Sequence, residues 1–550
     1  MHLSTQTMTM NDELHTAITA VVAAAGPVAL LGFGLLPGSL LARNPRSAAR
    51  AGALLALGTL GSALALVCLR VAWGTTEVSM EIAGPFHVGV RIDNLSVILL
   101  LLVAFLLAVV SRYAVNYLAG DSGQGRFTRW LCVTGGSVMA MILSGNLVQF
   151  TLAWCATSLG LHRLLVFYPE RPGALIAARK KFIISRMGDA CLLVVILLVH
   201  RSFGTWEFTG ILEAARRLHE PGGAPVGGMI HTIAFLLVAG AMLKSAQFPF
   251  HSWLPDTMET PTPVSALMHA GVINAGGFLI IRLSPLVTLS PLAMSTLALF
   301  GAFTALFASL VMLTHASVKR ALAFSTVAQM GFMMLECGLG AFGLAVLHLV
   351  AHSLYKAHAF LSSGSIVSMA RAAWVPTARP NAHPLALGAA FATGGALVWG
   401  AARLCGVGEG LHAGTVVLAC TYAMALAYAL WILWSQRPGP GGILGGVVLG
   451  GGLAVTYFTL EKWFVALLGE RPWQNGHLDS WPGRVVIGLL LGLFLVVLVL
   501  QTELPAWAAR PWLQRLYVHA RNGFYFNTLA NRCVAAVWPA RTPENPTCKP

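Results

Sequence analysis

The sequence predicts an all-α polytopic membrane protein with about 13–15 transmembrane helices. Three observations carry this. Of 550 residues, 57% are hydrophobic and only 10% are charged, where soluble domains carry about 25% charge. Mean hydropathy is +0.74. Apolar runs recur along the whole chain, most of them long enough to cross a hydrocarbon core of about 30 Å as a helix.

The runs fall near 15–42, 51–73, 94–111, 130–145, 147–168, 182–200, 230–250, 262–281, 288–314, 321–338, 342–370, 384–402, 411–434, 442–466 and 485–502. Residues 1–14 are polar, with Asp12 and Glu13 and no basic segment ahead of the first run, so no cleavable signal peptide is expected.

The net charge of +15 would suggest nucleic acid in a soluble chain. Here the basic residues fall in alternate short loops, which fits the positive-inside rule and no nucleic-acid role. Arg43, Arg46 and Arg50 lie in the first such loop, Arg112, Arg126 and Arg129 in the second, and Arg171, Arg179, Lys180 and Lys181 in the third. Lys319 and Arg320, Arg371 and Arg379, Arg437 and the tail follow. The intervening segment 74–93 is acidic, with Glu77, Glu81 and Asp93. This alternation predicts an odd number of spans with the C-terminus inside. Segment 201–229 breaks the pattern, because it places Arg201, Arg216 and Arg217 on the outer side.

The tail, with WLQRLYVHARNGFYFN, mixes aromatic and basic residues. It reads as an interfacial amphipathic segment or as a docking surface for a partner. The nine cysteines show no CxxC or Cys/His ligand spacing, so neither an iron–sulfur nor a zinc site is expected in this chain.

Ionisable residues inside apolar runs are costly and mark ion pathways. Lys244 stands within TIAFLLVAGAMLKSAQFPFHSWLP, and Pro249 is expected to break its helix five residues later. Asp189, after RMG, reads as an acid at the start of an apolar helix, with Lys244 as its expected partner. His269 lies in a run of small residues. His348, His352 and Lys356 are spaced i, i+4, i+8, which sets them on one helix face a turn apart, a pitch suited to proton relay. Lys319 stands at a helix start, and His358 and His315 fit interfacial positions as well as functional ones. The His pair suggests no metal site, because its helix carries no carboxylate and no HExxH.

These residues also carry a family signature. KSAQFPFHSWLPDTMETPTPVSALMHAG, VKRALAFSTVAQMGFMML, LHLVAHSLYKAHAFLSSGSIV and FIISRMGD resemble motifs of the proton-translocating, antiporter-like membrane subunits of respiratory complex I, multisubunit cation/proton antiporters and membrane-bound hydrogenases. The resemblance covers roughly residues 90–370. It implies two inverted five-helix repeats with broken helices: N-terminal helices at 1–125, a first repeat at 126–285, an altered second repeat at 286–435, further helices at 436–502 and a basic cytoplasmic tail at 503–550. It further implies an ion pathway of Asp189, Lys244, His269, Lys319, His348, His352, Lys356 and His358.

The chain departs from the family twice. Where a Trp-Glu pair is usual, it reads Trp154-Cys155, which leaves Asp189 to serve the broken-helix lysine. After residue 380 the second broken-helix lysine is missing, with Arg403 a weak substitute.

Within the family, SLGLHRLLVFYPERPGALIAARKKFIISRMGD and LYVHARNGFYFN resemble the Dab-type branch, which serves inorganic-carbon accumulation. That implies a bacterial inner-membrane location and a large zinc-containing, carbonic-anhydrase-like partner on the cytoplasmic side, driven by H+ or Na+ flow. No cofactor and no catalytic centre of its own are then expected in this chain. The family leaves two alternatives: a proton-pumping subunit of a complex I-like or hydrogenase complex, and a subunit of a multisubunit cation/proton antiporter.

Overall fold

The computed structural model describes residues 10–83, 86–365, 384–407, 413–436, 439–469, 478, 481–507 and 509–538. Arg371, Arg379 and Arg437, counted above among the loop charges, lie outside them, as do tail residues 539–550.

Helix α1 (Met10–Leu35) ends ahead of Pro37, and a short α2 (Gly38–Arg43) follows. The apolar run 15–42 is therefore two helices rather than one, because proline lacks a donor and disfavours helical geometry in the residue before it. Helix α3 (Pro45–Trp73) starts with proline in its first turn, where a missing N–H costs nothing.

The acidic segment 74–93 is a β-hairpin. Strand β1 (Thr76–Ala83) pairs antiparallel with β2 (Phe86–Ile92), with Thr76 opposite Ile92 and Glu81 opposite His87. Gly145 N–H donates to the Gly89 carbonyl at 2.9 Å, and Asn146 donates to the His87 carbonyl at 2.7 Å. A Cβ on Gly145 would lie 2.8 Å from the Gly89 carbonyl carbon, so this backbone approach requires glycine.

Asp93 caps α4 (Asn94–Tyr117) through a capping box with Ser96. Helices α5 (Gln124–Leu143) and α6 (Leu147–Leu165) follow, the latter capped by Asn146 accepting from Gln149 N–H at 2.8 Å. Helix α7 (Pro172–Phe203) has 32 residues, about 48 Å at 1.5 Å per residue. It begins ten residues before the apolar run at 182, so Asp189 lies near its middle and not at a helix start.

The segment 201–229 holds an amphipathic helix, α8 (Phe208–Leu218), which buries Phe208, Ile211, Leu212 and Ala215. Helix α9 (Gly228–Lys244) precedes a non-helical stretch, broken only by a 3-10 turn at Thr257–Glu259, that runs to α10 (Thr262–Ala270). Helices α11 (Ala275–Arg282), α12 (Ser284–Val287), α13 (Pro291–Met312), α14 (Val318–Gly338) and α15 (Phe342–Leu361) come next. The remaining described helices are α16 (Pro384–Leu404), α17 (Ala413–Gln436), α18 (Pro440–Leu468), α19 (Trp481–Trp507), α20 (Pro511–Arg521) and α21 (Phe526–Val537).

Among the described residues, 11 helical segments are long and apolar enough to cross a membrane; α9 and residues 483–499 of α19 are shorter apolar helices. Burial differs sharply between them. The Thr262–Arg282 span is 94% buried, whereas the α1 and α3 spans are 33% and 28% buried. The α10–α11 segment is thus the centre of the bundle, and α1, α3, α16 and α18, with 22–33% of their spans buried, lie at its periphery.

Helices α13 and α14 touch backbone to backbone. A Cβ on Gly301 would lie 2.7 Å from the Gly331 carbonyl oxygen, and one on Gly338 would lie 2.4 Å from Ala298 N. Small residues are what permit such contact where lipid offers no hydrophobic drive between helices.

Candidate functional site

Helix α9 ends at Lys244 itself, not at Pro249. Ser245 caps the helix and Ala246 takes a left-handed φ of 50°. Pro249 lies inside the following non-helical stretch, so it prevents the helix from resuming rather than ending it. Lys244 is buried, with its ammonium 4.2 Å from the centroid of the Trp154 ring and donating to the Trp154 carbonyl at 3.3 Å.

Asp189 does not pair with Lys244. Its ion partner is Arg186, one turn earlier on α7, at 2.6 Å. It remains close enough to act on Lys244 through space, and Cys155 lies in the same electrostatic neighbourhood. Lys181, also buried, joins this group. Its ammonium donates to the Ser158 carbonyl at 2.5 Å and to Ser158 Oγ at 2.7 Å, within the fields of Lys244, Arg186 and Asp189. Lys181 reads in sequence as one more basic loop residue; the early start of α7 carries it inside.

The neighbouring Lys180 is buried and bonded to Asp256 in the non-helical stretch. It also donates to Asn527 Oδ1 at 2.6 Å, and Asn527 donates to Asp256 at 3.1 Å. The tail thereby folds back over the helix break. Phe526 packs edge-on against Phe248 at 4.6 Å, and Arg179 donates to the Trp538 carbonyl at 3.1 Å.

The apolar run 262–281 is itself interrupted. Helix α10 stops at Ala270, a 3-10 turn spans Val272–Asn274, and α11 resumes at Ala275. Asn274 stabilises the interruption by donating to the Ala270 carbonyl at 2.9 Å and to Ser353 Oγ at 2.8 Å. Freed backbone inside a membrane needs such partners. His269 sits one residue before the stop, fully buried and stacked on Phe360 at 4.3 Å, with neither ring nitrogen hydrogen-bonded.

The stripe on α15 faces inward as its spacing predicts. His348 Nδ1 lies 2.9 Å from Glu336 on α14, His352 is 6.0 Å from His348 between ring centroids, and Lys356 donates to the Leu322 carbonyl at 3.1 Å. His269 lies within the electrostatic reach of both His352 and Lys356, so it joins this group across the centre of the bundle.

Two expected pathway residues stand apart. His358 is exposed, two positions past Lys356 and hence on another helix face. Lys319 is half-buried at the first turn of α14, donating to Thr262 Oγ1 at 3.0 Å, where α10 begins. Arg403 is exposed, with its guanidinium 5.5 Å from the Trp399 ring centroid.

One further buried acid, Glu461 on α18, lies with Tyr457 and Glu336 in one electrostatic neighbourhood. Its signal was present in sequence as a lone carboxylate in the apolar run 442–466.

A buried lysine at a helix end, with a second buried lysine on a histidine-bearing helix, defines an antiporter-like membrane subunit. The chain belongs to the family of such subunits. The family described as NADH:quinone oxidoreductase/Mrp antiporter, TM, matches residues 144–374, and that described as NADH-ubiquinone oxidoreductase (complex I), chain 5 N-terminus, matches residues 80–128.

Among curated relatives, a probable inorganic carbon transporter subunit DabB of Hydrogenovibrio crunogenus is 36% identical over 475 residues, 85% of this chain and 86% of that protein. The DabB2 subunit of Halothiobacillus neapolitanus is 50% identical over 297 residues, 54% of this chain and 53% of the relative. In that second case the match spans about half the relative's length. Of solved structures, an Mrp complex from Dietzia sp. superposes with a TM-score of 0.60 at 22% identity, over 96% of this chain and 59% of that one, which shows the shared fold.

Proposed function

We propose that this chain is the energy-coupling membrane subunit of an inorganic-carbon uptake system. A cation, H+ or Na+, moves through it by way of Asp189, Lys244, His269, His348, His352 and Lys356, with Lys319 at one mouth, and its flow drives a zinc-containing, carbonic-anhydrase-like partner. The observation that supports this most directly is the pair of buried lysines, Lys244 and Lys356. Each is held by a backbone carbonyl, and among the described residues neither has a carboxylate within ion-pair distance. An ammonium held by neutral partners gives up and regains a proton without breaking a buried ion pair. The link to inorganic carbon rests on the named relatives.

By the positive-inside rule, the face bearing Lys180, Lys319 and the tail is cytoplasmic, and the partner docks there. Zinc belongs to that partner in this reading. Fold alone does not give function, so the test is biochemical: purify the tagged protein from native membranes in mild detergent, identify what copurifies and assay it for zinc. A single large zinc-bearing partner supports the reading, and its absence counts against it.

The second reading is a respiratory proton-pumping subunit, favoured by NAD(P)H-quinone oxidoreductase chain 5 of Synechocystis, 38% identical over 288 residues but matched over only 42% of its length. Copurification of flavin or iron–sulfur proteins would establish that one instead. Small membrane subunits alone would point to a cation/proton antiporter.

A further inference from the structure

Arg216, which breaks the loop-charge alternation, has a place in the structure. It lines a cavity of about 340 Å³ on the face of the β-hairpin, together with Arg70 at the end of α3, Arg91 on β2, Arg282 at the end of α11, and Asp93 and Asn94 at the start of α4. Four guanidinium groups thus meet one lining carboxylate. Asp93 is already bonded to Arg91 at 3.0 Å and to Arg282. Among the described residues, Glu77, outside the lining, has its ion pair with Arg91 at 3.3 Å and accepts from Thr209 Oγ1. Setting Arg216 aside, Arg70, Arg91 and Arg282 still outnumber Asp93 and Glu77 by one among the described residues.

Two nitrogens remain unused. Arg282 is 4% exposed, and its Nε has no hydrogen-bond partner; the buried Nε of Arg70 has none either. The first residues of the 24-residue helix α4 form part of the wall, adding the positive end of its dipole. Concentrated like charge beside a buried guanidinium is costly unless an anion shares the site.

We propose that this cavity binds a small oxyanion of the carbonate or phosphate type, free or as the phosphate of a lipid headgroup. Guanidinium forks match paired oxygens, which selects oxyanions over halides. The volume holds such an ion with several waters at about 30 Å³ each. The site stands independently of the transport reading above, because it uses none of the ion-pathway residues.

The test is thermal unfolding of the full-length protein in detergent, titrated with sodium bicarbonate or phosphate against sodium chloride at matched ionic strength. Either oxyanion should raise the midpoint saturably, by about 2 °C or more beyond chloride. Arg70→Gln with Arg216→Gln, which leaves the Asp93–Arg91–Arg282 cluster intact, should weaken the response about 10-fold or more. Arg70→Lys, which keeps charge and loses the fork, should narrow the preference over chloride and serves if the double variant folds poorly.

If free oxyanions do nothing but delipidated protein is stabilised by phosphatidylglycerol micelles and not by phosphatidylcholine, with the effect lost in the variants, the ligand is a lipid phosphate. Equal responses to chloride and oxyanion, a response unchanged in the variants, or no response to either source overturns the proposal.

Discussion

The ammonium of Lys244 rests 4.2 Å from the centroid of the Trp154 ring and donates to the carbonyl of the same residue. One residue thus supplies both a π face and a dipole, and among the described residues no formal countercharge touches the lysine. A lysine deep in a membrane protein costs about 2.5–3.5 kcal/mol against an apolar residue. Lys244→Met should therefore leave the unfolding temperature unchanged or raise it, while coupled uptake falls about 10-fold or more. Normal CO2-dependent growth of the variant would remove Lys244 from the mechanism.

In the pathway proposed above, Asp189 supplies the acid that Cys155 does not, acting on Lys244 through space and not as its ion partner. Asp189→Asn should reduce coupled uptake, and Cys155→Glu should restore part of it by returning an acid to the same electrostatic neighbourhood. Uptake assays of the two single variants and the double variant decide this. A double variant no better than Asp189→Asn would mean that the acid's position on α7, beside Arg186, is what matters.

The cluster around Asp93 makes a pH prediction. Burial pushes its carboxyl up, but Arg282, Ser96 and Arg91 outweigh this and hold it well below the usual range. A depressed carboxyl contributes stability above its unfolded pKa of about 3.9 and loses it only as pH falls through the folded value. Asp93→Asn should cost about 3 kcal/mol, as for one half of a buried pair. The loss should be the same at pH 8 and pH 5. A penalty in thermal melts that shrinks between these two values would place the carboxyl near its ordinary pKa.

Tail docking is testable at Asn527, which bonds to both members of the Lys180–Asp256 pair. Asn527→Leu should leave the helices assembled and speed hydrogen exchange in residues 522–538 by about 10-fold, a loss of about 1.4 kcal/mol. Unchanged exchange would show that the aromatic contacts alone hold the tail.

What the sequence disclosed followed from period and cost. Runs of apolar residues revealed most of the spans, and the i, i+4, i+8 spacing of His348, His352 and Lys356 placed all three on an inward face. What it concealed had local causes. Nothing resembling a proline marks the stop at Ala270, because Asn274 and Ser353, distant in sequence, stabilise it. Lys181 hid among loop charges because hydropathy starts α7 ten residues late. The hairpin went unseen because its alternation, interrupted by Gly84 and Pro85, is short and carries charge on both strands. Asp189 found Arg186 rather than Lys244 because a partner at i−3 on its own helix is reached without tertiary placement.

The stripe on α15 has a consequence in electrical terms. From His348 to Lys356 is eight residues, about 12 Å of helix, in a hydrocarbon layer of about 30 Å. With α15 along the membrane normal, a unit charge carried between them would cross about two fifths of the voltage drop, about 1 kcal/mol per 100 mV. On the proposed pathway the stripe would therefore conduct over only part of the membrane. Most of the membrane's driving force would then be dissipated beyond its two ends, at groups on other helices.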